Sequence, residues 1–362
     1  MEKHIMVGCD LHDKSMLLKI AVGREKPTVE TWNTDPESVV LMVRHLTSWA
    51  ARLGGARVLF AYEACGFGFR LHDELTDACI ECYVLAPSKM HKSPKQRKRK
   101  TDERDAQLIL DSLKAYVLAG VEMPSVWIPD PQTRDDRELV RRRLAIAEDA
   151  AAAMIRIRWL LKGHGIKLAP AKAWTDKYWQ WLEQLAGGGL PSGAGAALGS
   201  LMRQVKWLWS ERDILDEQVF ALAKADRYAP VVAALCWHKG VGTLTAMVYL
   251  TEMGDLSRFS NRQQVGSFLG LVPSSYESGE TSDRKGHITR QGPGRVRKVL
   301  CQAVWSRLRC DEHERAAYDA IVSRNPKHKK KAVVARMRTL AVVLWHTGLE
   351  AQTALRAEAL VG

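Results

Sequence analysis

The chain has 362 residues, 46% of them hydrophobic, and a formal net charge of +13 at pH 7, enough for two or three domains with buried cores and a balance that points to a polyanionic partner, nucleic acid ahead of an anionic membrane surface. No apolar run reaches the roughly 18 residues of a membrane span, and the N-terminal MEKHIMVGCD lacks the apolar core of a secretory leader, so a soluble cytoplasmic protein is expected. Seven cysteines, an odd number, argue against a disulfide scaffold, and Cys79 with Cys82 forms a CxxC that has no second pair to complete a zinc site.

Residues 4–9, 15–22 and 28–32 read as three strands in series, with LHDK turning the chain between the first two. A helix over 36–53 follows, carrying Leu41, Val43, Leu46 and Trp49 near helical spacing, and Gly54-Gly55 stops it. Residues 57–62 form a fourth strand that ends at Glu63, 67–78 a helix, and 81–85 a fifth strand closed by Pro87. This succession is that of the ribonuclease H-like fold.

In that order Asp10 ends the first strand and Glu63 the fourth, which are neighbours in such a sheet. A basic loop with Lys95, Arg97, Lys98, Arg99 and Lys100 then leads into a helix bearing Asp102 and Asp105. Residues three apart share a helix face, so the pair is placed to join Asp10 and Glu63 in a four-carboxylate cluster. Hard oxygen ligands at that count suit Mg²⁺ or Mn²⁺ and phosphate oxygens. Taken singly, each acid also has a plain structural explanation: Asp102 as a helix cap, Asp105 as a favourable charge at the positive end of the helix dipole, Asp10 and Glu63 as polar strand ends.

Residues 134–161, rich in Ala, Arg, Leu and Glu, predict a long helix without a sustained heptad. A segment with Trp174, Trp179 and Trp181 follows, then AGGGLPSGAG, which reads as a flexible break, and a second long helix over 197–224. Two long helices joined in this way predict an antiparallel hairpin. The tryptophans read first as packing anchors and second as platforms for nucleotide bases.

Beyond residue 230 the chain is expected to be mainly helical. Gly240-Val241-Gly242 lies between two helical stretches in the manner of a helix-hairpin-helix, whose glycines let backbone amides approach a phosphate. After a helix within 260–270 comes LVPSSYESGETSDRKGHITRQGPGRVRKVL. Here serines sit among Arg284, Lys285, Arg290, Arg295, Arg297 and Lys298, cations suited to a phosphodiester. By itself this is a basic loop that grips a nucleic-acid backbone. A basic segment, NPKHKKK, introduces the last apolar helix.

Residues 1–120 resemble the RuvC-like domain of the DEDD transposases, the RNA-guided bridge recombinases of insertion-sequence family one-ten, through VGCDLHDKS, AYEACGFG and KTDERDAQLI. Residues 235–310 resemble the C-terminal transposase domain of that family, and Ser278 in YESG falls on its catalytic serine. The resemblance implies a RuvC-like domain over 1–125, a helical or coiled-coil linker domain over 126–229 and a serine-bearing transposase domain over 230–362. It implies Asp10, Glu63, Asp102 and Asp105 as metal ligands and Ser278 as nucleophile. It further implies cutting and rejoining of target and donor DNA, guidance by a structured bridge RNA, and dimers that assemble to a tetramer with the acids and the serine on different protomers. Two other readings share these residues: a RuvC-like nuclease that hydrolyses branched DNA with water, and a non-catalytic nucleic-acid binder.

Overall fold

A computed structural model of the chain describes residues 4–90, 101–166, 169–275 and 285–361. The fold divides into two compact units, residues 1–128 and 129–362.

The first unit is built on a five-stranded sheet of order β3-β2-β1-β4-β5. Strands β1 (His4–Leu11), β2 (Ser15–Val22) and β3 (Thr28–Asn33) form the expected meander and pair antiparallel, whereas β4 (Arg57–Glu63) and β5 (Glu81–Leu85) run parallel to β1. Among the described residues three helices flank the sheet: α1 (Pro36–Arg52), α2 (Arg70–Asp77) and α3 (Asp102–Ala119). Asp35 caps α1, its carboxylate accepting from the Ser38 amide at 2.9 Å, and Pro36 starts the helix where a missing N–H costs nothing. The sheet is covered on both faces, so β1 and β4 are nearly continuous apolar runs. On one face Ile5, Val7, Cys9, Phe60 and Tyr62 pack with Val39, Met42 and Leu46 of α1 and Leu71 and Leu75 of α2. On the other, Met6, Leu59 and Ala61 pack with Ile109, Leu110 and Leu113 of α3.

Among its described residues the second unit is helical apart from one small hairpin. Helix α4 (Pro131–Gly163), about 50 Å long at 1.5 Å per residue, lies antiparallel to α6 (Ser192–Leu222), and α5 (Asp176–Gln184) closes their far end. Arg143 near the start of α4 forms a bidentate pair with Asp216 near the end of α6, at 2.7 Å through both oxygens. Trp174, Trp179 and Trp209 pack edge to face and tilted at the far end of the hairpin, so the first two of these serve as packing anchors. AGGGLPSGAG is less of a break than its composition predicts. Residues Leu185–Gly189 continue α5 as a widened helical turn and α6 already begins at Ser192. Gly195 serves close packing there: a Cβ on it would lie 2.6 Å from the Ala186 carbonyl oxygen.

The root of the hairpin joins the largest core, in which Val140, Leu144 and Val219 pack with α7 (Ala229–Cys236), α8 (Thr243–Met253), α10 (Gly294–Cys310) and α12 (Lys329–Val361). Arg141 of α4 clamps Glu252 of α8, itself 7% exposed, through two hydrogen bonds of 2.7 and 2.9 Å. Two shorter helices, α9 (Arg262–Phe268) and α11 (Glu312–Arg324), and the hairpin of β6 (Pro273–Ser275) and β7 (Lys285–Ile288) complete the unit. No helix among the described residues is long and apolar enough to cross a membrane.

Candidate active site

Side-chain parity on two strands decides which acids share a face. Met6 faces α3, so Gly8 and Asp10, two and four residues on, lie on that face. Leu59 and Ala61 do the same on β4, which puts Glu63 there as well. The parallel register pairs Cys9 with Tyr62, so Asp10 and Glu63 are the next residues at the same end of adjacent strands. Asp102 and Asp105 occupy the first turn of α3, and α3 lies directly on β1.

The contact that sets this arrangement is at Gly8. A Cβ there would come within 2.4 Å of both the Ala106 oxygen and the Leu110 nitrogen, so only glycine lets α3 approach β1 this closely. Asp10, His12 and Asp102 then bring one ligand atom each within 4.8 Å of one another. His12 Nε2 lies 3.1 Å from Asp10 Oδ2 and 3.4 Å from Asp102 Oδ1. Glu63 and Asp105 are not in that set. Asp105 is still near enough to act on Asp10, whose carboxyl titrates above the ordinary aspartate value. Burial pushes it up, the charge and hydrogen bond of His12 pull it down, and the carboxylates of Asp102 and Asp105 push it up again.

Such a group of like charges with a partly buried member at 13% side-chain exposure favours a cation. Two carboxylates and an imidazole at this spacing could hold a metal ion. His12 is absent from the sequence reading, although DLH at the end of β1 offers a ligand-type residue two positions after Asp10.

In the second unit, Ser278, Arg284 and the residues around them lie outside the described residues, as do Lys95, Arg97, Lys98, Arg99 and Lys100 of the first. The base of the serine-bearing segment is described. Strands β6 and β7 pair from Pro273 with Ile288 to Ser275 with Lys285. Below them the Thr289 amide donates to the Val272 carbonyl at 2.9 Å and the Arg290 amide to the Gly270 carbonyl at 3.2 Å. The Ser274 hydroxyl is engaged, donating to the His287 carbonyl at 3.0 Å. Gly270 and Gly292 both have positive φ, and a Cβ on Gly292 would meet the Phe268 oxygen at 1.8 Å, so the two chain segments cross in contact.

The cations expected to hold phosphate divide into two kinds. Arg297 is committed to the fold: its Nη1 donates to the carbonyls of Leu269 and Gln291 at 3.0 Å each and of Gly292 at 3.2 Å. Lys298 pairs with Glu148 at 2.7 Å. Arg290 and Arg295 are exposed beside the loop base. At the glycine pair between α7 and α8, Gly240 has φ +78° and packs on α10, where a Cβ would lie 2.7 Å from the Ala303 oxygen, whereas Gly242 has open space around it and precedes the first turn of α8.

Comparison with known proteins then fixes the family. Residues 232–319 match the family described as "Transposase IS116/IS110/IS902 family". The chain is 30% identical over 298 residues to the putative transposase y4rJ of Sinorhizobium fredii, covering 77% of this chain and 74% of that protein. The chain belongs to the IS116/IS110/IS902 transposase family. It is also 28% identical to the putative transposase y4qE of the same organism, over 84% of this chain and 72% of the relative. To the transposase for insertion sequence element IS1533 of Leptospira borgpetersenii it is 23% identical over 84% of this chain and 86% of the relative. The matched block contains β6, β7, α10 and the segment that carries Ser278, and membership of this family implies DNA cleavage and transfer.

Proposed function

We propose that this transposase cuts and rejoins DNA strands through a phosphoserine intermediate, with Ser278 as nucleophile and a ribonuclease H-like, RuvC-like first unit that holds Mg²⁺ or Mn²⁺ on Asp10, Glu63, Asp102 and Asp105. The observation that supports the reading is that Asp10 and Asp102, with His12, bring ligand atoms within 4.8 Å of one another where Gly8 lets α3 close onto β1, with Glu63 at the same end of the adjacent strand. The family match over 232–319 supports the serine half.

In the cleavage step the Ser278 Oγ forms a bond to the scissile phosphorus, the bond from phosphorus to the 3′ oxygen breaks, and a 3′-hydroxyl departs. The serine gives up one proton and the leaving oxygen gains one, so the exchange is balanced and reversible on a partner strand. A divalent ion held by the acids supplies positive charge against the phosphate oxygens. The clamp of Arg297 and the β6–β7 ladder hold the two ends of the loop, while the exposed Arg290 and Arg295 supply charge for the DNA backbone. The reading extends to a structured bridge RNA that selects target and donor DNA by pairing, and to dimers assembling to a tetramer in which acids and serine come from different protomers.

A denaturing gel of DNA incubated with the protein, its guide RNA and Mg²⁺ tests the chemistry. A strand linked to protein, absent with Ser278→Ala, is the expected result. Free 5′-phosphate ends without any adduct would instead establish hydrolysis by water at the acidic centre. An adduct that persists in Ser278→Ala would move the role to Ser274, Ser275 or Ser282.

A further inference from the structure

We infer that His12 is a nitrogen ligand of the metal centre in the first unit, so that the ion is held by a mixed imidazole and carboxylate set and not by acids alone. The inference rests on the reading of that centre as a metal site.

Three observations lead to it. The imidazole Nε2 lies 3.1 Å from Asp10 Oδ2 and 3.4 Å from Asp102 Oδ1, and all three ligand atoms lie within 4.8 Å of one another. Donors bound to one small divalent ion at about 2.1 Å on adjacent octahedral positions sit about 3 Å apart, so these separations are those of groups able to share an ion. The backbone holds His12 in place: its amide donates to the Ser15 carbonyl at 2.9 Å, closing the turn between β1 and β2, while the side chain remains 45% exposed and open to an incoming ion.

The consequence is a change of preference. Mg²⁺ takes oxygen ligands and gives up water reluctantly, whereas Mn²⁺ accepts imidazole more readily and stands higher in affinity for mixed nitrogen and oxygen sites. A centre with His12 in it discriminates toward Mn²⁺, and one built only on the acids discriminates less.

The test uses the full chain with Mn²⁺ as the probe. Pulsed electron paramagnetic resonance of the bound ion is expected to show modulation from a directly coordinated ¹⁴N, lost in His12→Asn. Loss of an outer-shell partner already costs about 10–100-fold in metal affinity, so Mn²⁺ binding measured by calorimetry is expected to weaken at least about tenfold in His12→Asn, with a smaller loss for Mg²⁺. Wild-type protein without ¹⁴N modulation, or His12→Asn with unchanged Mn²⁺ affinity, overturns the inference while leaving the acidic centre intact. Asp10→Asn separates the two levels: if it leaves tight Mn²⁺ binding unchanged, the metal-site reading itself fails.

Discussion

Gly8 of β1 and Leu110 of α3 are in backbone contact, close enough that a Cβ on Gly8 would lie 2.4 Å from the Leu110 nitrogen. The contact sits two residues from Asp10 on the strand, and five residues past Asp105 on the helix. It fixes the distance between the acids of the sheet and those of α3. Gly8→Ala must push the helix outward against backbone atoms that have no rotamer to change. Overpacking of this kind costs about 1–3 kcal/mol, which urea denaturation will show as a lowered midpoint. Mn²⁺ affinity is expected to fall with it, because Asp102 moves away from Asp10 and His12.

Arg295 and Arg297 are two residues apart on α10 and do different work. Arg297 donates to three carbonyls, and hydrogen bonds from a charged group contribute about 1.5–3 kcal/mol when buried. Its site is partly solvated, so Arg297→Ala is expected to cost about 1–2 kcal/mol and to speed amide exchange at residues 289–292. Arg295 is exposed. Arg295→Ala is expected to leave stability unchanged and to reduce the slope of log affinity for DNA against log salt by about one phosphate contact. Denaturation curves and salt titrations of DNA binding on the two variants check both halves.

Much of the first unit is legible in the chain because its physics is local. The strands are short apolar runs bounded by LHDK, Gly54-Gly55 and Pro87, and the acids at the ends of β1 and β4 follow from parity once the strands are placed. The three-residue spacing of Asp102 and Asp105 likewise shows in sequence. His12 escapes that reading because a histidine in a turn carries no periodic signal; only the return of α3 across β1 brings it beside Asp102. Arg297 escapes for a related reason. Among Arg290, Arg295 and Lys298 it looks like one more cation for phosphate, and only the crossing of residues 269–270 and 291–292 shows three carbonyls waiting for its guanidinium. The glycines of AGGGLPSGAG mislead because composition reports backbone freedom, whereas Gly195 is used for close approach to Ala186.

Gly240 and Gly242 make a contrasting pair. Gly240 combines a left-handed φ of +78° with a Cβ position 2.7 Å from the Ala303 oxygen and 2.9 Å from Arg307 Cγ. Gly242 has φ −102° and nothing within 4 Å of its Cβ position. Gly240→Ala is therefore expected to destabilise by more than about 1 kcal/mol, and Gly242→Ala, which meets no clash but replaces glycine at the N-cap of α8, to destabilise by less than that. Thermal denaturation of both variants decides. A loss of DNA binding in Gly242→Ala beyond what its loss of stability explains would assign the open glycine to the approach of a phosphate.

Glu314 of α11 is 3% exposed and lies between two arginines, Arg307 of α10 and Arg336 of α12. Burial disfavours its carboxylate, but the hydrogen bonds from Arg336, at 2.5 Å and 3.1 Å, and from Arg307, at 3.0 and 3.1 Å, outweigh it and hold the pKa below the ordinary glutamate value of 4.5. Asp311, 3.5 Å from Arg307, is the other acid in the cluster, and its pKa is lowered as well, first by the Glu314 amide that it accepts from. A folded pKa below the unfolded one means that the unfolded chain takes up protons first on acidification. The stability that Glu314 supplies is thus complete above the ordinary glutamate value and is lost as pH falls through the folded one. At pH 7 Glu314→Gln is expected to cost about 3 kcal/mol, the lower end for breaking a buried ion pair, because both arginines keep some contact with water. The difference in denaturation free energy between wild type and Glu314→Gln is expected to shrink steadily below pH 4.5, and a difference that stays constant with pH would show that the three helices are held by packing alone.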